Sequence, residues 1–111
     1  MIGEILVEKG YVKKADLYRA LAAQFSKVFV EFKRINIPKE VLSLVPKSFA
    51  YEHRIMPLLK KNGIFLMAIS DPKDVQPEIE IRKYVSDCEI RTAIATPEEI
   101  RAAIEQYYGK E

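Results

Sequence analysis

The chain has 111 residues, 49% hydrophobic and 31% charged, the balance of a globular domain and the length of one domain or two small halves sharing a core. Its 18 Lys and Arg stand against 16 Asp and Glu with no basic block, which argues against nucleic acid as a partner because phosphate tracking needs clustered cations. A single cysteine, Cys88, excludes an intramolecular disulfide and a CxxC zinc or redox centre, and fits a reducing, cytoplasmic setting.

No apolar run reaches the roughly 20 residues of a membrane-spanning helix, and Glu4, Glu8 and Lys9 interrupt the first apolar stretch, which speaks against a signal peptide and direct membrane insertion. Ile2, Ile5 and Leu6 follow the helical interval, and Gly10 stands where a left-handed residue would end a short helix. Leu17, Ala20, Leu21 and Gln24 repeat the interval, predicting a second helix from about Lys14 to Phe25. Its start is poorly capped: Lys13 stands where Ser, Thr or Asp would accept an amide hydrogen bond, and Asp16 partly compensates for the missing negative end.

Ser26 to Ile37 reads as a short extended connection. Pro38 and Pro46 then open two helical pieces, with Val41, Leu42, Val45 and Phe49 turned inward. From His53 the period changes. Two strands flank Asn62-Gly63, the pair best suited to a type I′ turn, and Pro57 assigns the first strand to an edge. Ile64 to Ile69 is apolar on both faces, as expected of a central strand. Asp71-Pro72 marks a turn, and a helix from about Pro77 carries Ile81, Tyr84 and Val85 as a core stripe. Glu89 to Ala95 forms a third strand, and Thr96-Pro97-Glu98-Glu99 opens a last helix that runs to about Tyr107 and ends near Gly109.

The expected fold class is α+β: short N-terminal helices, then a β-β-α-β-α unit with a small three-stranded sheet and helices packed on one face. The expected division is a helical part over 1–53 and a ββαβα part over 54–111, making one compact domain. His53, the only histidine, has no ligand partners at metal spacing. Asp71, Asp74, Glu78 and Glu80 suit turn and cap duty better than magnesium. The chain contains no GxxxxGK[ST], no GxGxxG and no nucleophile elbow, and nothing in it reads as catalytic or metal-binding. In the last helix Arg101 is flanked by Glu98, Glu99 and Glu105, a poor surface for phosphate.

Ile2-Gly3, Ile5-Leu6, Gly10, Tyr11-Val12, Leu17, Ala20-Leu21 and Gln24 resemble the motif that opens the N-terminal domain of type II secretion and type IV pilus assembly ATPases. "IPKEVLSLVPKSFAYEHRIMPL", "AISDPKD" and "ATPEEIRAAIEQYY" look like later landmarks of the same domain. The resemblance implies a non-catalytic docking and regulatory module that requires no cofactor. Its implied partners are the cytoplasmic domain of an inner-membrane platform protein and the C-terminal ATPase domain of the parent, which places it in the cytoplasm, peripheral at the inner membrane.

Some members bind cyclic di-GMP through two tandem copies of the motif. By resemblance, a half-site would consist of Gly3, Ile5, Leu6, Gly10, Leu17, Leu21 and Gln24: the glycines admit close backbone approach, the aliphatic side chains face the guanine, and Gln24 supplies hydrogen bonds. The chain carries one copy of the motif, and Met1 stands where the family has a basic residue.

Overall fold

The Asn62-Gly63 pair reverses the chain at the middle of the fold. In the computed structural model, whose described residues are 14–109, Asn62 has φ 53° and Gly63 φ 76°, the left-handed pair that a type I′ turn requires. It joins β1 (Met56–Lys61) antiparallel to β2 (Ile64–Ile69). β2 lies between β1 and β3 (Glu89–Ile94) and runs parallel to β3. The central position expected of β2 is therefore observed, and Phe65, Met67, Ala68 and Ile69 are all buried. Pro57 does lie on an outer strand, and the register shifts between Pro57 and Leu59, as a residue without an N–H would favour.

The crossover from β2 to β3 passes through α4 (Gln76–Glu80) and a 3-10 turn, Ile81–Lys83. Asp71 Oδ1 accepts from the Lys73 amide and Asp74 Oδ1 from the Gln76 amide, both at 3.0 Å, which is the turn duty read from the sequence. Ile81 and Val85 are buried as expected, but Tyr84 is not: it is 40% exposed. Its ring meets Phe49 edge-on at 5.2 Å with Lys83 above the ring, an arrangement that leaves the residue at the surface.

The last helix, α5 (Pro97–Tyr108), begins as its sequence dictates: Thr96 Oγ1 accepts from the Glu99 amide at 3.1 Å and Pro97 occupies the first turn. It buries Ile100, Ala103 and Ile104 and packs on β1, β2 and α3 (Lys47–His53). α2 (Lys39–Leu42) and α3 each follow a proline with φ near −65°, and α3 ends at Arg54 in the left-handed region. Tyr108 closes this side: its hydroxyl donates to Val45 O at 2.9 Å and to Leu42 O at 3.3 Å, and burial pushes its pKa up to about 12. Val41, Val45 and Phe49 are buried as expected, while Leu42 is only half-buried against them.

The connection after residue 25 does more than bridge. Ile94 N–H donates to Val28 O and Val30 N–H to Ile94 O, both at 2.8 Å, so residues 28–30 run parallel beside β3. A 3-10 turn at Phe32–Arg34 follows. Val30 and Ile37 enter the core from this segment.

Candidate functional site

The helix that carries the half-site motif, α1 (Lys14–Gln24), is built of strong helix formers, with Asp16 in its first turn. It ends on Ser26 at φ 56°, with the Lys27 amide reaching Ala22 O at 2.8 Å, the hydrogen bond that closes a left-handed helix terminus. One α1 residue is buried, Ala22 at 2% exposure, and Tyr18 packs against the core one turn earlier. Leu17, Leu21 and Gln24 form a second stripe about 100° around the helix. Leu17 and Leu21 are half-buried and Gln24 is exposed.

The structure thus places three of the motif residues on one side of α1, away from the stripe that meets the core. Gly3, Ile5, Leu6 and Gly10 lie outside the described residues, as does the expected first helix.

Polar contacts at the rim complete the attachment of α1. Lys14 pairs with Glu98 on α5, and Arg19 pairs with Asp16 and Glu31 while its guanidinium lies 5.0 Å over the Phe29 ring. The Lys14 hydrogen bond holds the Glu98 carboxyl below its ordinary value. Exposed pairs of this kind contribute about 0–1 kcal/mol each, less than the burial of Ala22 and the packing of Tyr18 against the core. A cavity of about 420 Å³ separates it from α5, lined by Ala15, Arg19 and Phe29 on one side and Glu99, Ala102 and Gln106 on the other. Sequence reasoning missed Arg19 and Glu31, since no local spacing reports a pairing across an irregular connection.

A second feature lies on the sheet. Leu59 pairs laterally with Leu66, and with Val28, Val30, Ile35 and Ala93 they line a groove of about 590 Å³. Val28 is 71% exposed, Leu59 43% and Ile35 38%. Glu31, Arg34, Asn36 and Thr92 are its polar lining, and the buried Thr92 Oγ1 has no hydrogen-bond partner among the described residues.

The remaining candidates serve structure. His53 stacks on Phe49 at 4.3 Å and faces Glu52. Cys88 is buried at the foot of β3, with burial and then neighbouring Asp87 pushing its thiol pKa up, the reverse of what a reactive thiolate needs. Among the described residues no group of three or more His, Cys, Asp or Glu could hold a metal ion, and no described helix is long and apolar enough to cross a membrane.

A family model for the MshEN domain matches residues 25–111. The chain belongs to the MshEN domain family. The kinship with the N-terminal domains of secretion and pilus ATPases, expected from the sequence, follows. The match begins immediately after Gln24, so the half-site motif precedes the matched MshEN span. The type IV pilus assembly ATPase PilB of Myxococcus xanthus (strain DK1622) is 28% identical over 109 residues. That alignment covers 98% of this chain and 19% of PilB, so the chain spans about a fifth of that relative's length. Among solved structures, MshE with cdg (cyclic di-GMP) superposes with TM-score 0.84 at 21% identity, covering 97% of this chain and 78% of that one. The N-terminal domain of XpsE superposes with TM-score 0.73 at 18% identity, covering 94% and 72%. These likenesses establish the MshEN fold.

Proposed function

We propose that this MshEN domain is a non-catalytic docking and regulatory module of a type II secretion or type IV pilus assembly ATPase. In this reading it binds the cytoplasmic domain of an inner-membrane platform protein and thereby stands at the membrane periphery. It influences ATP-driven motion through the ATPase domain of its parent and hydrolyses nothing itself. The observation that carries the reading is the gathering of exposed Val28, Ile35 and Leu59 in one groove, since contiguous open apolar surface of this kind marks interaction sites. Support comes also from the absence of a phosphate-loop sequence in the chain. The test is co-elution of the 111-residue chain with the platform protein's cytoplasmic domain on gel filtration. A stable complex without ATP supports the proposal; separate elution at high concentration of both, or ATP hydrolysis by the clean chain, contradicts it.

A second reading, a cyclic di-GMP receptor that regulates the ATPase, is favoured by the stripe of Leu17, Leu21 and Gln24 turned away from the core-facing side of α1 and by the kinship with MshE, solved with cdg. In that reading Gly3, Ile5, Leu6 and Gly10 complete the half-site and the two leucines meet the guanine. Calorimetric titration with cyclic di-GMP, using cyclic di-AMP as control, distinguishes it. Selective heat that is lost in Leu21→Glu supports a half-site on α1, and equal responses to both dinucleotides oppose it.

A further inference from the structure

The groove on the sheet has the width, the apolar floor and the surrounding charge to receive one particular kind of partner. Its floor crosses the whole sheet. Residues 28–30 lie beside β3, and the Cα partners Leu66↔Arg91 and Leu59↔Leu66 carry the row across β2 to β1. Three inter-strand spacings amount to about 14 Å, slightly more than the diameter of an α-helix with its side chains. Strand addition at the outer edge of β1 is disfavoured, because Pro57 removes a donor there and Lys60 and Lys61 charge that edge. A partner is therefore directed to the face of the sheet.

Charge around the groove favours one sign. Arg34 lines it together with Glu31. Arg91 is the lateral neighbour of Leu66, and Lys61, two residues beyond Leu59 on β1, shares its face. The carboxylates nearby, Glu31 and Glu89, are already engaged: Glu31 by Arg34 and Arg19, Glu89 by Arg91. Among the described residues Lys61 forms no ion pair, so it leaves this face with a net positive charge.

We infer that this groove is the docking surface for an amphipathic helix whose apolar face fills the row from Val28 to Leu59 and whose flanks carry Asp and Glu. The inference rests on the docking function proposed above and assigns that helix to the platform protein's cytoplasmic domain. Apolar anchors in the groove supply affinity, and the surrounding cations speed encounter and set orientation.

The test measures the affinity of the platform protein's cytoplasmic domain for the full 111-residue chain and four variants. Val28→Glu and Leu59→Glu each change an exposed side chain and are expected to weaken binding about tenfold or more. Ile79→Glu, at an exposed apolar position on α4 outside the groove, is expected to leave binding unchanged, and circular dichroism confirms that each variant is folded. Lys61→Glu is expected to slow association and to flatten its salt dependence. Full-strength binding by folded Val28→Glu and Leu59→Glu overturns the groove assignment while the docking function stands. Salt-independent binding overturns the acidic flanks, and failure of the unaltered chain to bind overturns both the function and the groove.

Discussion

α5 and α1 are helices of similar length that make opposite use of their surroundings. α5 opens on a threonine cap and a proline, buries Ile100, Ala103 and Ile104, and ends with Tyr108 bonded to two carbonyls of the helical layer. Among the described residues α1 buries Ala22, lays Tyr18 on the core and adds exposed ion pairs at its rim. α5 commits its apolar stripe to the fold, whereas α1 meets the core through Ala22 and Tyr18 and carries half-buried Leu17 and Leu21 and exposed Gln24 on another side.

If that contrast is right, substitutions should divide by helix. Ile104→Ala should cost about 2–5 kcal/mol, the range for truncating a fully buried isoleucine, and a denaturant midpoint close to that of the unaltered chain would place the core elsewhere. Thr96→Ala removes the oxygen that accepts the Glu99 amide and should cost about 1 kcal/mol. A change within measurement error would show that water satisfies the amide equally well.

Tyr108 sharpens the comparison through pH. Its pKa is raised from 10.0 to about 12 in the fold, so the stability it contributes is complete below pH 10 and is lost as pH rises toward 12. Tyr108→Phe should cost about 1 kcal/mol at neutral pH and should flatten the decline of the melting temperature over that alkaline window. An identical decline in the variant would assign it to another group. Smallest of all, Leu21→Ala should change stability by about 1 kcal/mol or less. A loss equal to that of Ile104→Ala would mean that the stripe on α1 belongs to the core after all.

Most of the sheet and α5 were legible in the sequence because local chemistry there agrees with the global fold. Asn62-Gly63 admits a single tight turn, Pro57 allows an edge, and Thr96-Pro97 can open a helix but not continue a strand. Two features escaped. The pairing of residues 28–30 with Ile94 consists of two hydrogen bonds between segments more than sixty residues apart, and no periodicity in "KVFVEF" records them. The helical spacing of Tyr84 from Ile81 points it inward, but spacing alone does not fix how much of a large amphipathic ring stays at the surface.

The candidate site was legible only in part. The motif on α1 was visible as the repeat of Leu17, Leu21 and Gln24, although which side of the helix meets the rest of the fold depends on contacts with distant Phe29, Glu31 and Glu98. The groove was invisible for a related reason. Val28, Ile35, Leu59 and Leu66 are unremarkable apart and become a surface only when the sheet sets them side by side.

The most direct measurement is an isothermal titration of the platform protein's cytoplasmic domain into this chain at modest salt without ATP. A docking module gives a saturable one-to-one complex that weakens as salt is added and whose affinity falls in Leu59→Glu. No heat at the highest soluble concentration, with both proteins folded, would contradict the reading of this MshEN domain as a docking module.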